Sequence, residues 1–215
     1  MRVGDTDVHE PMALPLKRLP WQTLHHVWAP KLGRTIVLSS TRQLRLWVML
    51  EAHPGVTRYC ERPSFPGEED PSPAADFWAL RDGEQFWLTL QEALASGDEK
   101  PSPDQTSCVQ TVTAEEIDRN RVWIGNWLSL LPYLSTTAGL DLQSVREPVA
   151  LFFRQEASFD DAERHFDRFD PILVRTAVIA GLHQGRLFSS ELFVRPWDRQ
   201  TRVVQFARPA AHAPQ

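Results

Sequence analysis

The sequence is short of cysteine, of long apolar runs and of basic residues, and each shortage narrows what the chain can be. Two cysteines, Cys60 and Cys108, in 215 residues supply neither a disulfide framework nor a cysteine zinc site. They read as buried or half-buried thiols. No apolar run approaches the ~20 residues that a membrane-spanning helix needs. Met1 to Pro20 alternates charges, prolines and single apolar residues, without the apolar centre of a secretion signal. A cytoplasmic protein without membrane contact is expected. The formal net charge of −5 is not the basic footprint of an autonomous DNA binder. Any nucleic-acid contact would need a local cationic patch, or partners that supply the phosphate attraction. His25-His26 is the only histidine pair, and neighbours on a strand or helix point apart, so a shared metal is not expected. No internal repeat is visible.

What the chain does have is an ordinary soluble composition, 42% hydrophobic and 24% charged, which favours a packed globular fold over disorder. Eight tryptophans suggest a large aromatic core, an interaction surface, or both. Residues 1–30 read as an extended, proline-punctuated arm. Arg34 to Ser39 reads as a strand and Thr41 to Ala52 as a helix, with Ser40 or Thr41 capping its start. Val56 to Cys60 is a strand, and the acidic, proline-rich stretch Pro63 to Pro73 is a loop. Ala75 to Leu80 and Gln85 to Leu90 form a hairpin through Arg81-Asp82-Gly83-Glu84. Trp78 and Trp87, one on each strand, read as core or cross-strand packing. A helix is expected to start within Gln91 to Ser96, before the polar loop Gly97 to Ser107.

Cys108 to Val112 reads as a further strand, and Thr113-Ala114-Glu115-Glu116 as a capping box. The helical region that follows is expected to run to about Leu134, interrupted or ended near Pro132. Gly139 to Asp141 reads as a linker. Beyond it, helices are expected over Ser144 to Gln155, Ser158 to Phe166 and Asp170 to His183, the last with Asp170 as N-cap, Pro171 in its first turn and Gly185 as stop. Leu187-Phe188 and Arg202 to Phe206 read as two strands. Three helices followed by a hairpin is the winged-helix order.

In the first half, the order of motifs resembles the TnsA family of transposon-end endonuclease subunits. The matching pieces are Gln43–Glu51, His53-Pro54-Gly55-Val56, Glu61-Arg62-Pro63, Ala75-Asp76-Phe77 and Phe86–Gln91. Val112 to Ile117, Asn126 and Tyr133 follow in the same order. The likeness runs over about residues 34–134 and continues into the C-terminal third. It implies an α/β fold, with a restriction-endonuclease-like mixed sheet flanked by helices over 1–138, a winged helix over 139–208 and a tail over 209–215. It also implies a role in Tn7-like DNA transposition, with transposon-end DNA, a transposase and an AAA+ ATPase regulator as partners. Active relatives would cut at the transposon 5′ end with magnesium.

Metal-dependent nucleases of this type need two or more carboxylates, because magnesium takes oxygen ligands in octahedral array, and a neighbouring lysine for the developing charge. Here the helix glutamate falls on Gln43, the strand aspartate survives as Asp76, and the Glu-x-Lys element falls on Thr89 and Gln91. The expected catalytic set is therefore a vestigial Asp76 with Gln43, Thr89 and Gln91 at degenerate positions, metal binding at Asp76 weak or absent, and no resident cofactor. Glu51 or Glu61 relocated into the centre would instead give an active magnesium enzyme. A third reading makes the winged helix a DNA- or protein-binding regulator. Arg42, Arg45, Arg58 and Arg62 could line a phosphate-facing surface, with Arg175 and Arg186 adding to it from the C-terminal half. Ordinary ion pairs are the plainer role for such arginines. The last helix would present Arg175, Thr176, His183 and Gln184 outward, and the wing would add Arg195, Arg199 and Arg202.

Overall fold

The computed structural model describes residues 10–17, 21–64, 73–91, 108–137, 139 and 142–206. Of the expected helix start at Gln91 to Ser96 only Gln91 is among them, and the polar loop Gly97 to Ser107 lies outside. The described chain is mixed α/β. Three short strands and a helix lead in: β1 (Met12–Ala13), β2 (His25–Ala29), β3 (Arg34–Leu38) and α1 (Thr41–Ala52). The sheet strands follow: β4 (Val56–Glu61), β5 (Pro63–Ser64), β6 (Phe77–Arg81), β7 (Glu84–Leu90) and β8 (Cys108–Val112). Two helices then cross to the second half, α2 (Ala114–Arg119) and α3 (Arg121–Thr136). The second half holds α4 (Gln143–Phe152), β9 (Ala157–Ser158), α5 (Phe159–His165), α6 (Pro171–His183), β10 (Leu187–Phe188), a 3-10 turn at Glu191–Phe193 and β11 (Arg202–Gln205).

The central sheet has the order β4-β6-β7-β8. Its first three strands are antiparallel neighbours, and β8 lies parallel to β7. Asp82 and Gly83, both at positive φ, make the tight turn between β6 and β7, as the Asp-Gly signature requires. Such a parallel pair cannot be closed by a hairpin, and residues 92–107, which join β7 to β8 in sequence, lie outside the described set. Helix α1 starts where the Ser40 hydroxyl accepts from the Gln43 N–H, which satisfies one of the helix's free first-turn donors. The capping box at Thr113 and Glu116 is present as the sequence predicts, and a second one forms at Ser158 and Asp161.

Several expectations need correction. The first thirty residues are not simply an arm: β2 pairs with β3 as a hairpin, and Met12–Ala13 pairs with Pro63–Ser64. The stretch from Pro63 is therefore a strand for two residues; 65–72 lie outside the described set. The helix through Pro132 neither breaks nor ends there but runs to Thr136. That proline sits in the last turn and a half, where its missing N–H costs a single intrahelical bond. The break falls earlier, at Asn120 between α2 and α3. His25 and His26 occupy successive positions of β2, on opposite faces.

In the second half, β11 lies between β10 and β9. Helix α6 opens at Asp170, whose side chain accepts from the Ile172 N–H, with Pro171 in its first turn. It closes at Gly185, φ +69°, where the Arg186 N–H returns to the Gly181 carbonyl at 2.9 Å; this left-handed stop is the role glycine fills best. One apolar core runs through both halves, from Ala29, Trp47 and Val48 through Trp127 and Leu130 to Val178, Ile179 and Val203. A small second cluster of Cys60, Ala75, Trp78 and Trp87 packs separately. No helix among the described residues is long and apolar enough to cross a membrane.

Candidate functional site

Asp76 lies just before β6, where the backbone already has sheet partners: its N–H donates to the Leu88 carbonyl and its carbonyl accepts from the Arg62 N–H. This fixes the half-buried side chain against the end of β7 and the first turn of α1. Its two carboxylate oxygens have separate protein donors. Oδ2 accepts from the Leu90 N–H at 2.7 Å, and Oδ1 accepts from Gln43 Nε2 at 3.0 Å. Gln43 therefore meets Asp76, as the alignment of motifs expects.

The orientation of the Gln43 amide decides what this site can do. Its oxygen accepts from the Ser39 N–H at 2.9 Å and from the Ser39 hydroxyl at 2.8 Å. A backbone N–H is only a donor, so the amide oxygen is held at Ser39 and the NH2 group is turned to Asp76. The position that would have to offer a cation an oxygen offers it hydrogen instead. Thr89 and Gln91 complete the neighbourhood at the end of β7. Thr89 pairs in register with Thr111 of β8, and Gln91 sends its N–H to the Val112 carbonyl while its own carbonyl accepts from Arg42 at 3.4 Å.

Magnesium needs six well-placed oxygens and gives up water reluctantly. Among the described residues Asp76 is the only carboxylate in this constellation, and binding an ion would compete with two charge-assisted bonds worth about 1.5–3 kcal/mol each. Among the described residues no three His, Cys, Asp or Glu side chains gather to hold a metal ion. The described residues at this site do not fit the divalent cation that the resemblance implies.

The two glutamates that could stand in are bound elsewhere. Glu61 takes the Arg34 guanidinium in a two-pronged pair, both contacts 2.7 Å. Glu51, 0% exposed, is the centre of a buried network. Its Oε1 lies 3.1 Å from the Lys31 N–H and 2.8 Å from His183 Nε2. Its Oε2 accepts from the Tyr59 hydroxyl at 2.5 Å, and that hydroxyl accepts from Trp47 Nε1 at 2.7 Å. Lys31 Nζ caps the end of α1 through the Leu50 and His53 carbonyls at 3.0 and 2.6 Å. Burial pushes Lys31 down to about 8, with Glu51 acting in the opposite sense. Burial, followed by the Glu51 charge, pushes the Tyr59 hydroxyl well above its ordinary range.

The sequence-selected arginines have varied surroundings. Arg42 is exposed beside Gln91. Arg45 pairs with Asp118 at 3.2 Å, Arg58 with Glu10, and Arg186 with Glu147 at 2.9 Å. Arg62, at positive φ, turns inward to the Leu14 and Val37 carbonyls. Arg175 is held by Glu163 at 2.6 Å and by the Tyr133 hydroxyl at 3.1 Å. The outward face expected for α6 is only partly so: Gln184 is exposed and Arg175 half-buried, but the other two residues are enclosed. Thr176 is 0% exposed and His183 is buried, because α6 packs between α4, α5 and α3. Of the wing residues, Arg195 pairs with Glu191 and Asp198, and Arg199 with Glu163 and Asp160.

Sequence reasoning missed Ser39, whose amide and hydroxyl orient Gln43, and the Glu51–His183 link. It marked Asn126 and Tyr133 without giving them work. Asn126 donates to the Leu192 and Arg195 carbonyls and accepts from the Trp197 N–H, all at 2.8 Å. It thereby ties α3 to the loop between β10 and β11. No protein-family model matches the chain, and no curated protein matches it.

Proposed function

We propose that this chain is a TnsA-like accessory subunit of a Tn7-like transposition system whose nuclease centre is inactive. In this reading it engages transposon-end DNA together with a transposase and an AAA+ ATPase regulator, and its contribution is assembly rather than strand cutting. The sheet order β4-β6-β7-β8 with a parallel last pair, preceded by α1, supports a restriction-endonuclease-like first half. The run α4-β9-α5-α6-β10-β11, with β11 central, supports a winged helix. The observation that carries the functional part is the Gln43 amide, held by Ser39 so that it donates to Asp76. A working centre would place an acid at that position.

The burial of α6 argues against a regulator that reads the major groove with that helix, since such readers leave its face free for base edges. The engagement of Glu51 and Glu61 argues against an active enzyme with relocated acids. The test has two arms. A supercoiled plasmid carrying transposon ends is incubated with the chain and magnesium or manganese, alone and with candidate transposase and ATPase. Binding of the same ends is followed by mobility shift. The proposal expects partner-dependent binding without nicking. Nicking that disappears in Asp76→Ala would reject the inactive centre, and absence of any binding with the partners present would reject the transposition role.

A further inference from the structure

Where the two halves meet, a cavity of about 500 Å3 opens between the β2–β3 turn, the end of α1, α4 and α6. The ionisable side chains that line it are Lys31, Arg146 and His183; all three are basic types. Glu51 lies behind Lys31 and His183 with both oxygens already accepting. Glu147, next to Arg146 on α4, is turned to Arg186.

Two polar atoms on this lining are anomalous. Arg146 Nε and the Thr176 hydroxyl are both buried with no hydrogen-bond partner. Arg146 forms no ion pair among the described residues, unlike Arg175, Arg186 and Arg199 of the same half. A buried donor left unpaired costs on the order of 1–3 kcal/mol, and native proteins seldom retain two on neighbouring helices without a bound group to satisfy them. The guanidinium is a flat fork that suits an oxyanion. A hydroxyl can add one more donor, and the remaining Lys31 proton a third charge-assisted contact.

We propose that this seam cavity binds a phosphate group, held by Arg146 with Thr176 as a second donor. Phosphate fits because the lining offers cations and donors and, among the described residues, no competing carboxylate. The phosphate can belong to a small molecule or to a nucleic-acid backbone or end, and the chemistry of capture is the same. Its occupancy would stiffen the junction of the two halves, since α4 and α6 carry the key groups and Lys31 comes from the other side. The inference does not rest on the nuclease-like reading of Asp76, and either can fail without the other.

The experiment uses the full chain. Thermal unfolding is followed against inorganic phosphate at constant ionic strength, in wild type, Arg146→Gln and Thr176→Val. Phosphate also stabilises proteins generally by exclusion from their surface, so the informative part is the saturable shift that Arg146→Gln removes. Loss of a charge-assisted partner should weaken phosphate binding by about tenfold or more in Arg146→Gln, and by less in Thr176→Val. Thr176→Val should be at least as stable as wild type without phosphate, because it deletes an unsatisfied hydroxyl. A 12-base-pair duplex, with and without 5′ phosphates, then identifies the source. Binding that free phosphate displaces and Arg146→Gln weakens assigns the cavity to nucleic acid, whereas phosphate binding with no such competition assigns it to a small molecule. A phosphate response that is unsaturable, or equal in wild type and Arg146→Gln, overturns the proposal.

Discussion

Replacing Glu51 by alanine should be among the most damaging single changes in this protein. The side chain sits at 0% exposure and receives the Lys31 N–H, His183 Nε2 and the Tyr59 hydroxyl. Alanine would leave these three groups facing a void. Each buried donor left without its acceptor costs about 1–3 kcal/mol, so the three together cost on the order of 3 kcal/mol or more. Set against a typical total of roughly 5–15 kcal/mol, that is a large share of the stability. Urea unfolding followed by tryptophan fluorescence should show a much lower midpoint with little change in slope, the signature of lost stability without a changed denatured state. Glu51 joins α1 and β4 to α6, so a double-mutant cycle with His183→Ala should return a coupling of at least about 1 kcal/mol. A loss below about 1 kcal/mol for Glu51→Ala, or additive single mutants, would refute the claim that this network fastens the two halves.

Other outcomes follow from the same geometry. Asn126→Ala removes three 2.8 Å bonds to the loop between β10 and β11 and should cost about 2–3 kcal/mol in the same unfolding assay. Lys31 is held at about 8 against an ordinary 10.5; between those values the unfolded chain keeps the proton and the folded one releases it. Stability should therefore rise between pH 8 and pH 9, by no more than about 1 kcal/mol, and Lys31→Met should flatten the rise. Cys60, whose proton burial retains in the folded state above its ordinary 9, begins to act in the opposite direction inside that window, and Tyr59 does so only at higher pH, so the comparison with Lys31→Met isolates the Lys31 contribution. Burial, reinforced by Glu61, pushes the Cys60 thiol up to about 12. In a Cys108→Ser chain at pH 8 it should resist a thiol reagent until denaturant is added.

Local chemistry was legible in the sequence and distant pairing was not. The Asp82-Gly83 turn, the Thr113–Glu116 box and the Asp170-Pro171 start each depend on residues within one turn of each other, and all three form. The pairing of Met12–Ala13 with Pro63–Ser64 left no signal, because two-residue strands have no period to read. The Glu51–His183 contact spans 132 residues, so neither residue announces the other. The outward face of α6 was misjudged because a helix with apolar residues on one side was given a solvent side by default. From Val174 to His183 every residue but the half-buried Arg175 is buried, and the near-continuous run of small and apolar residues there was the available sign. At the Asp76 site, motif order brought Gln43 to its place beside the carboxylate. The direction of its amide was set by Ser39, whose role becomes visible only in three dimensions.

The most direct test of the account is manganese binding to the whole chain, measured by the loss of the free-ion paramagnetic resonance signal. The account predicts no saturable binding up to millimolar manganese, and the same flat response in wild type and Asp76→Asn. Saturable binding in wild type that vanishes in Asp76→Asn would contradict it.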